Sequence, residues 1–183
     1  MPEKETARRL LALVEERGLL KAALRSSVCS SCPTGPMGEP GLWELAGFVA
    51  AQRLRTVAAE KPRLVVSSPL PGSLLLASAV ARELRVTLAP STLGLRPAQG
   101  AYVEPVECNG LLTAISVPRS LVQRGPTVLV SASPALSCEH QVLRALSALL
   151  IRHGAHIVVL LALCPVDIDG LNGMPVVTLC DNI

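Results

Sequence analysis

The feature that most constrains this chain is the run over residues 156–164, which is near-continuously apolar. A strand with one wet face alternates apolar and polar residues, whereas a strand apolar at successive positions is covered on both sides, as in a parallel sheet between helical layers. The uninterrupted apolar part is also too short for a bilayer, which needs about 18 or more residues. Parallel neighbours cannot be joined by tight turns, so the rest of the chain must supply crossovers.

It does. Residues 63–67 form a short β-branched run, followed by turn residues Pro69, Pro71 and Gly72 and by a helical stretch over 73–84. Residues 86–89 can form the next strand. Residues 101–107 and 110–117 predict two strands around Asn109-Gly110, a strong hairpin signal. Residues 127–130 make another apolar strand, and residues 138–153 place Val142, Leu143, Leu146, Leu149 and Leu150 on one face of a helix that Gly154 ends. A last short strand is expected over 175–179. Ahead of this block, residues 42–59 read as an amphipathic helix with Leu42, Leu45, Ala46, Val49, Ala50 and Val57 on one side, stopped by Pro62. Residues 4–24 give another, interrupted near Gly18, and 26–41 form a Ser/Cys/Pro/Gly-rich loop. The expected organisation is an N-terminal helix and loop over 1–41 and an α/β domain over 42–183.

Composition narrows the function. At 183 residues and 50% hydrophobic content, one domain with one substantial core is expected. Aromatic residues make up only 2%, so base stacking on aromatic platforms is nearly unavailable, and the net charge of +3 is scattered rather than gathered. No nucleic-acid role and no membrane role are expected. The charged start of the chain carries no signal sequence, which points to a cytoplasmic protein, or a nuclear one. Cys108, Cys138, Cys164 and Cys180 stand isolated in or beside apolar segments and are expected as reduced, partly buried thiols. Cys29 and Cys32 have the spacing of half a zinc site, but no second pair accompanies them, so ordinary thiols in a loop are expected and no metal. Cys138 and His140 lie two residues apart and would point to different helix faces, which argues against a nucleophile and its base. Asp167 and Asp169 are expected in a solvated turn.

In a parallel α/β sheet, ligands sit at the carboxyl ends of the strands. That singles out residues 67–73 and 131–138. The stretch Thr127-Val-Leu-Val-Ser-Ala-Ser-Pro-Ala-Leu-Ser-Cys-Glu-His-Gln-Val-Leu-Arg-Ala-Leu, with Arg152-His-Gly-Ala-His-Ile-Val-Val after it, resembles the signature region of type I phosphoribosyltransferases. Residues 65–86, 102–121 and 164–179 are similar to the pyrophosphate loop and helix, the hairpin region and the closing segment of the adenine branch. The resemblance covers roughly residues 60–180 in order and spacing. It implies a phosphoribosyltransferase-like parallel sheet with flanking helices, an N-terminal helical segment and a small hairpin or hood region.

The departures from the family pattern bear on function. Where the family has an acidic pair for the ribose hydroxyls of phosphoribosyl pyrophosphate, this chain has Ser131 and Ala132. The phosphate loop that follows corresponds to Ser133, Ala135, Leu136, Ser137, Cys138 and Glu139, with side chains in place of close-approach glycines and an added carboxylate. Glu139 has two readings: an exposed helix start favoured by the dipole, or a carboxylate that occupies or repels the place of a phosphate. The pyrophosphate loop corresponds to Ser68, Leu70, Gly72 and Ser73 and has no Lys or Arg, while its two prolines remove two backbone donors. The family's basic flexible loop corresponds roughly to residues 91–100 and keeps only Arg96. Electrostatic stabilisation of an anionic substrate with magnesium is thereby depleted at three places. The resemblance therefore implies a catalytically compromised protein without catalytic residues or cofactor, acting through a protein partner or self-association as regulator, scaffold or partner subunit. The alternative is an active, divergent purine transferase that uses phosphoribosyl pyrophosphate, a purine base and Mg2+.

Overall fold

A computed structural model describes residues 40–132, 138–163 and 173–179. The expected helix over 4–24, residues 26–39 of the expected loop with Cys29 and Cys32, the acidic turn at Asp167 and Asp169, and Cys164 and Cys180 lie outside the described residues, as do Ser133, Ala135, Leu136 and Ser137; residues 40 and 41, expected as loop, begin the first helix instead. In chain order the elements are α1 (Pro40–Val57), β1 (Leu64–Ser67), α2 (Pro71–Leu84), β2 (Thr87–Pro90), β3 (Thr92–Gly94), β4 (Ala101–Cys108), β5 (Leu111–Pro118), β6 (Gly125–Ser131), α3 (Glu139–Arg152), β7 (Ala155–Ala162) and β8 (Val176–Thr178).

Five strands form a parallel sheet in the order β2-β1-β6-β7-β8. Both faces are covered, as the apolar run demanded. Val65, Val128, Val130, Val159 and Leu161 pack with α1 and α2 on one side, while Leu64, Val66, Leu129, Ile157 and Leu160 pack with α3 and the hairpin strands on the other. The register slips between Thr127 and Val128, where β7 carries one extra residue opposite β6. Val142, Leu143, Leu146, Leu149 and Leu150 of α3 are fully buried. In α1 the buried face is Trp43, Ala46, Val49, Ala50 and Leu54, and Val57 is exposed instead of inward. The spacing from Ala50 to Leu54 continues the stripe by one helical turn, and Val57 lies on the last residue of the helix, beyond the sheet. Arg53 donates to the Thr178 carbonyl, tying α1 to β8.

A second, three-stranded antiparallel sheet has the order β3-β5-β4. Its turn places Asn109 and Gly110 at φ 54° and 76°, the left-handed pair that a type I′ hairpin requires. Strand β3 falls inside the segment expected as a flexible loop over 91–100; Thr92 and Ser116 join their hydroxyls across it at 2.8 Å, a pairing partner too far along the chain for local pattern to reveal. This sheet lies along α3. At one end the Tyr102 ring stacks on His153 at 3.4 Å with 14° between the planes, and Arg152 forks onto Glu104 at 2.6 and 3.2 Å. At the other end Cys108 and Cys138 form a disulfide across 30 residues of chain. That corrects the expectation of reduced thiols: the hairpin carries Cys108 to within 5.1 Å, Cα to Cα, of the residue preceding α3, a juxtaposition that sequence spacing does not encode.

Two contacts carry predictions. A side chain on Gly47 would put its Cβ 2.4 Å from the Cβ of Ala79, because α1 and α2 meet there backbone to backbone. Gly47→Val should lower the unfolding free energy by about 1–3 kcal/mol despite the better helix propensity of the new residue, read as a urea midpoint shift. Cys108→Ser should cost about 2–4 kcal/mol under non-reducing conditions, with a Cys108–Cys138 linked peptide present in the parent digest and no cost once both proteins are reduced.

Candidate functional site

The spatial order makes β1 and β6 neighbours whose crossovers leave in opposite directions along the sheet. Such a switch point opens a crevice at the carboxyl ends of the strands. The two chain reversals singled out from sequence both sit here: Ser67-Ser68 leaves β1 and Ser131-Ala132 leaves β6. They are stitched together, since Ser68 donates its backbone N–H to the Val130 carbonyl at 2.9 Å.

Side chains complete the closure. Ser131 donates its hydroxyl to Glu139 Oε1 at 2.6 Å. Ser68 and Ser73 share a hydroxyl–hydroxyl bond of 2.8 Å, and the Ala132 N–H donates to Ser73 Oγ at 2.8 Å. Ser68 also lies near enough to the Glu139 carboxyl to lower its pKa. Ser68, Ser73, Ser131 and Glu139 are all buried, with Glu139 only 2% exposed. Of the two readings of this glutamate, the exposed helix start is therefore overturned. Burial is the largest influence on its carboxyl and pushes the pKa above the ordinary range, and the bond from Ser131 and the nearby Ser68 hydroxyl pull the other way.

The other singled-out positions sort as follows. Leu70 caps α2 in extended conformation (φ −85°), with its carbonyl taking the Leu74 N–H at 3.0 Å. Gly72 lies so close to its neighbours that a Cβ there would sit 3.4 Å from Ala132 Cβ and 3.5 Å from the Trp43 ring. Ala132 is buried beside them. Cys138 faces the hairpin and is spent in the disulfide, which removes it as a nucleophile. The structure thus brings Ser68, Gly72, Ser73, Ser131, Ala132 and Glu139 together. Sequence reasoning missed Trp43, which backs Gly72, and Ser91, whose hydroxyl donates to the Ser67 carbonyl at 2.6 Å. The single Trp of the chain, on the apolar stripe of α1, was the available signal for the first.

Chemically, the arrangement spends two of its donors internally, while the buried Ser67 hydroxyl has no partner among the described residues. The Ala132 N–H, which stands where a helix-entry turn could offer a backbone donor, is taken by Ser73, and the Ser131 hydroxyl is taken by Glu139. Neither residues 68–73 nor 131–139 contribute a Lys or Arg. A carboxylate set among these donors disfavours a second anion by direct repulsion. Among the described residues no group of three or more His, Cys, Asp or Glu side chains is arranged to hold a metal ion, and no helix is long and apolar enough to cross a membrane.

The raised Glu139 pKa fixes the sign of a pH effect. The folded chain holds this proton more tightly than the unfolded one, whose carboxyl titrates near the ordinary value of about 4.3. This group's contribution to stability therefore falls as pH rises from there through the folded pKa. Glu139→Gln cannot ionise, so its stability relative to the parent should improve as pH rises above about 4 and level off once the folded carboxyl has ionised, read in urea titrations; a gap constant with pH would contradict the burial.

No protein-family model matches the sequence, and neither does any curated protein. Solved structures do match. The adenine phosphoribosyltransferase of Rhodothermus marinus superposes with a TM-score of 0.69 at 15% identity, over 89% of this chain and 98% of that one. That of Thermoanaerobacter pseudethanolicus gives 0.67 at 16%, over 80% and 84%. That of Saccharomyces cerevisiae, solved with adenine, gives 0.64 at 16%, over 78% and 82%. From the parallel sheet, its helical layers and these likenesses, the chain has the fold of the adenine phosphoribosyltransferases.

Proposed function

We propose that this is a phosphoribosyltransferase-like protein whose sugar-phosphate site is catalytically compromised and which acts through protein contacts, as a regulator, scaffold or partner subunit. The observation that carries the reading is the Glu139 carboxyl, buried at the start of α3 and bonded to Ser131, at the turn that the family resemblance assigns to the phosphate loop. A transferase must hold several negative charges of its donor at once, and catalysis of that kind rests on positive charge or free N–H groups aimed at them. Here the same place holds a carboxyl group. Ser131 and Ala132 stand where the resemblance puts the acidic pair, and neither can supply a charged acceptor to the ribose hydroxyls. The solved enzymes of this fold favour the alternative, an active purine transferase requiring Mg2+, only through overall shape at 11–16% identity.

Purified protein incubated with Mg2+, adenine and phosphoribosyl pyrophosphate should form no adenine nucleotide above background, and clear turnover would end this reading in favour of the alternative. Glu139→Thr removes the carboxylate and should raise affinity for phosphoribosyl pyrophosphate by about tenfold or more in calorimetry, roughly 1.4 kcal/mol. No gain would count against occupancy of the site by Glu139.

A further inference from the structure

At the opposite, amino edge of the sheet, the starts of β1, β2 and β6 surround a cleft of about 870 Å3. Lys61, Arg63 and Arg85 line it, over an apolar floor of Pro62, Val86 and Pro126. The basic residues elsewhere are mostly engaged. Arg53 and Arg55 donate to the Thr178 and Glu83 carbonyls, Arg82 pairs with Glu44, Arg119 bonds the Ala101 carbonyl, and Arg152 pairs with Glu104. Among the described residues, Lys61, Arg63, Arg85 and Arg124 have no such side-chain bond, and all four stand at this edge; Arg96 and Arg144 are the other two. Glu60, the acidic group of the cleft, faces His156 at 3.7 Å.

A single unpaired surface cation is ordinary. Three that share one cleft repel one another and favour an occupant of opposite charge. The form of that occupant follows from the backbone. The Arg63 N–H is committed to the Pro126 carbonyl and the Gly125 N–H to the Gly154 carbonyl, so these amides cradle no phosphate. Helix α2 ends at Leu84 beside the cleft, which turns the negative end of its dipole toward it and disfavours a compact, highly charged anion. Carboxylates spaced along a chain can reach the three cations separately while apolar side chains cover Val86 and Pro126. Single-stranded nucleic acid would need stacking platforms, but Trp43 is buried and Tyr102 is stacked on His153.

We propose that this cleft docks an acidic segment of a partner protein, with carboxylates on Lys61, Arg63 and Arg85 and apolar side chains over the partly exposed Val86 and Pro126. The inference rests on the protein-contact reading above and gives that contact a place and a chemistry. The test uses the full chain and a fluorescein-labelled peptide in which Glu-Glu pairs flank Leu residues, followed by anisotropy. Binding should weaken at least tenfold in K61E/R63E, and in the milder K61Q/R63Q by several-fold. R96E/R144E removes the same charge elsewhere and should change affinity less than threefold. Equal losses in the two charge-reversed proteins, no binding by the parent, or tighter binding of tripolyphosphate or a single-stranded oligonucleotide would each overturn the proposal. Because the readout is peptide binding, it is independent of nucleotide turnover, and the failure of either idea is visible without the other.

Discussion

A carboxyl group held out of water at the first residue of a helix sets the terms for the surrounding structure. Leaving such a group buried without partners costs several kcal/mol, roughly, which few domains can absorb. The chain offsets that with the Ser131 hydroxyl at 2.6 Å, the nearby Ser68 hydroxyl, and the positive end of α3. These partners arrive from both strands of the switch point. For Glu139 to be satisfied, the reversals after β1 and β6 must lie together, and the Ser73 bond to the Ala132 N–H keeps them there. A polar network of this kind is specific because each member leaves another unpaired if it moves.

Much of the scaffold is legible in the sequence because its signals are local. The unbroken apolar run over β7, the Asn109-Gly110 turn and the five-residue stripe of α3 each encode their own element within a few residues. Where information is non-local, the reading stops. Strand β3 is three residues long and exists because β5 offers it partners, so nothing in Thr92–Gly94 alone distinguishes it from loop. Val57 fits the α1 stripe by periodicity and is nevertheless exposed, because a stripe tells which side of a helix is apolar but not how far the covering sheet extends.

The site divides in the same way. That the turns leaving β1 and β6 should meet follows from a rule about parallel sheets, and the bonds from Ser68 to Val130 and from Ala132 to Ser73 join their described parts. The identity of Glu139 was visible, but whether a glutamate at a helix start points to water or inward depends on Ser131 at the end of β6 and on Ser68 in the distant loop after β1. The disulfide is still less legible. Cys108 and Cys138 lie in segments that each look like ordinary apolar sequence, and only the packing of the antiparallel sheet along α3 makes them neighbours.

The fold and the site are under separate physical control. Leu64, Val66, Leu129, Leu160 and the α3 stripe contribute burial, and any aliphatic residues of similar volume can do that. A parallel sheet can therefore be kept at about 15% identity, with a TM-score of 0.69. Residues at the strand ends such as Ser131 and Glu139 contribute little apolar area, so their identity can vary while the sheet stands, provided the buried polar atoms find partners. The serine hydroxyls meet that condition for Glu139. What this chain does consequently has to be sought in the polar groups at the two edges of the sheet, where the carboxyl edge is closed around the Glu139 carboxyl and the amino edge holds cations with no partner among the described residues.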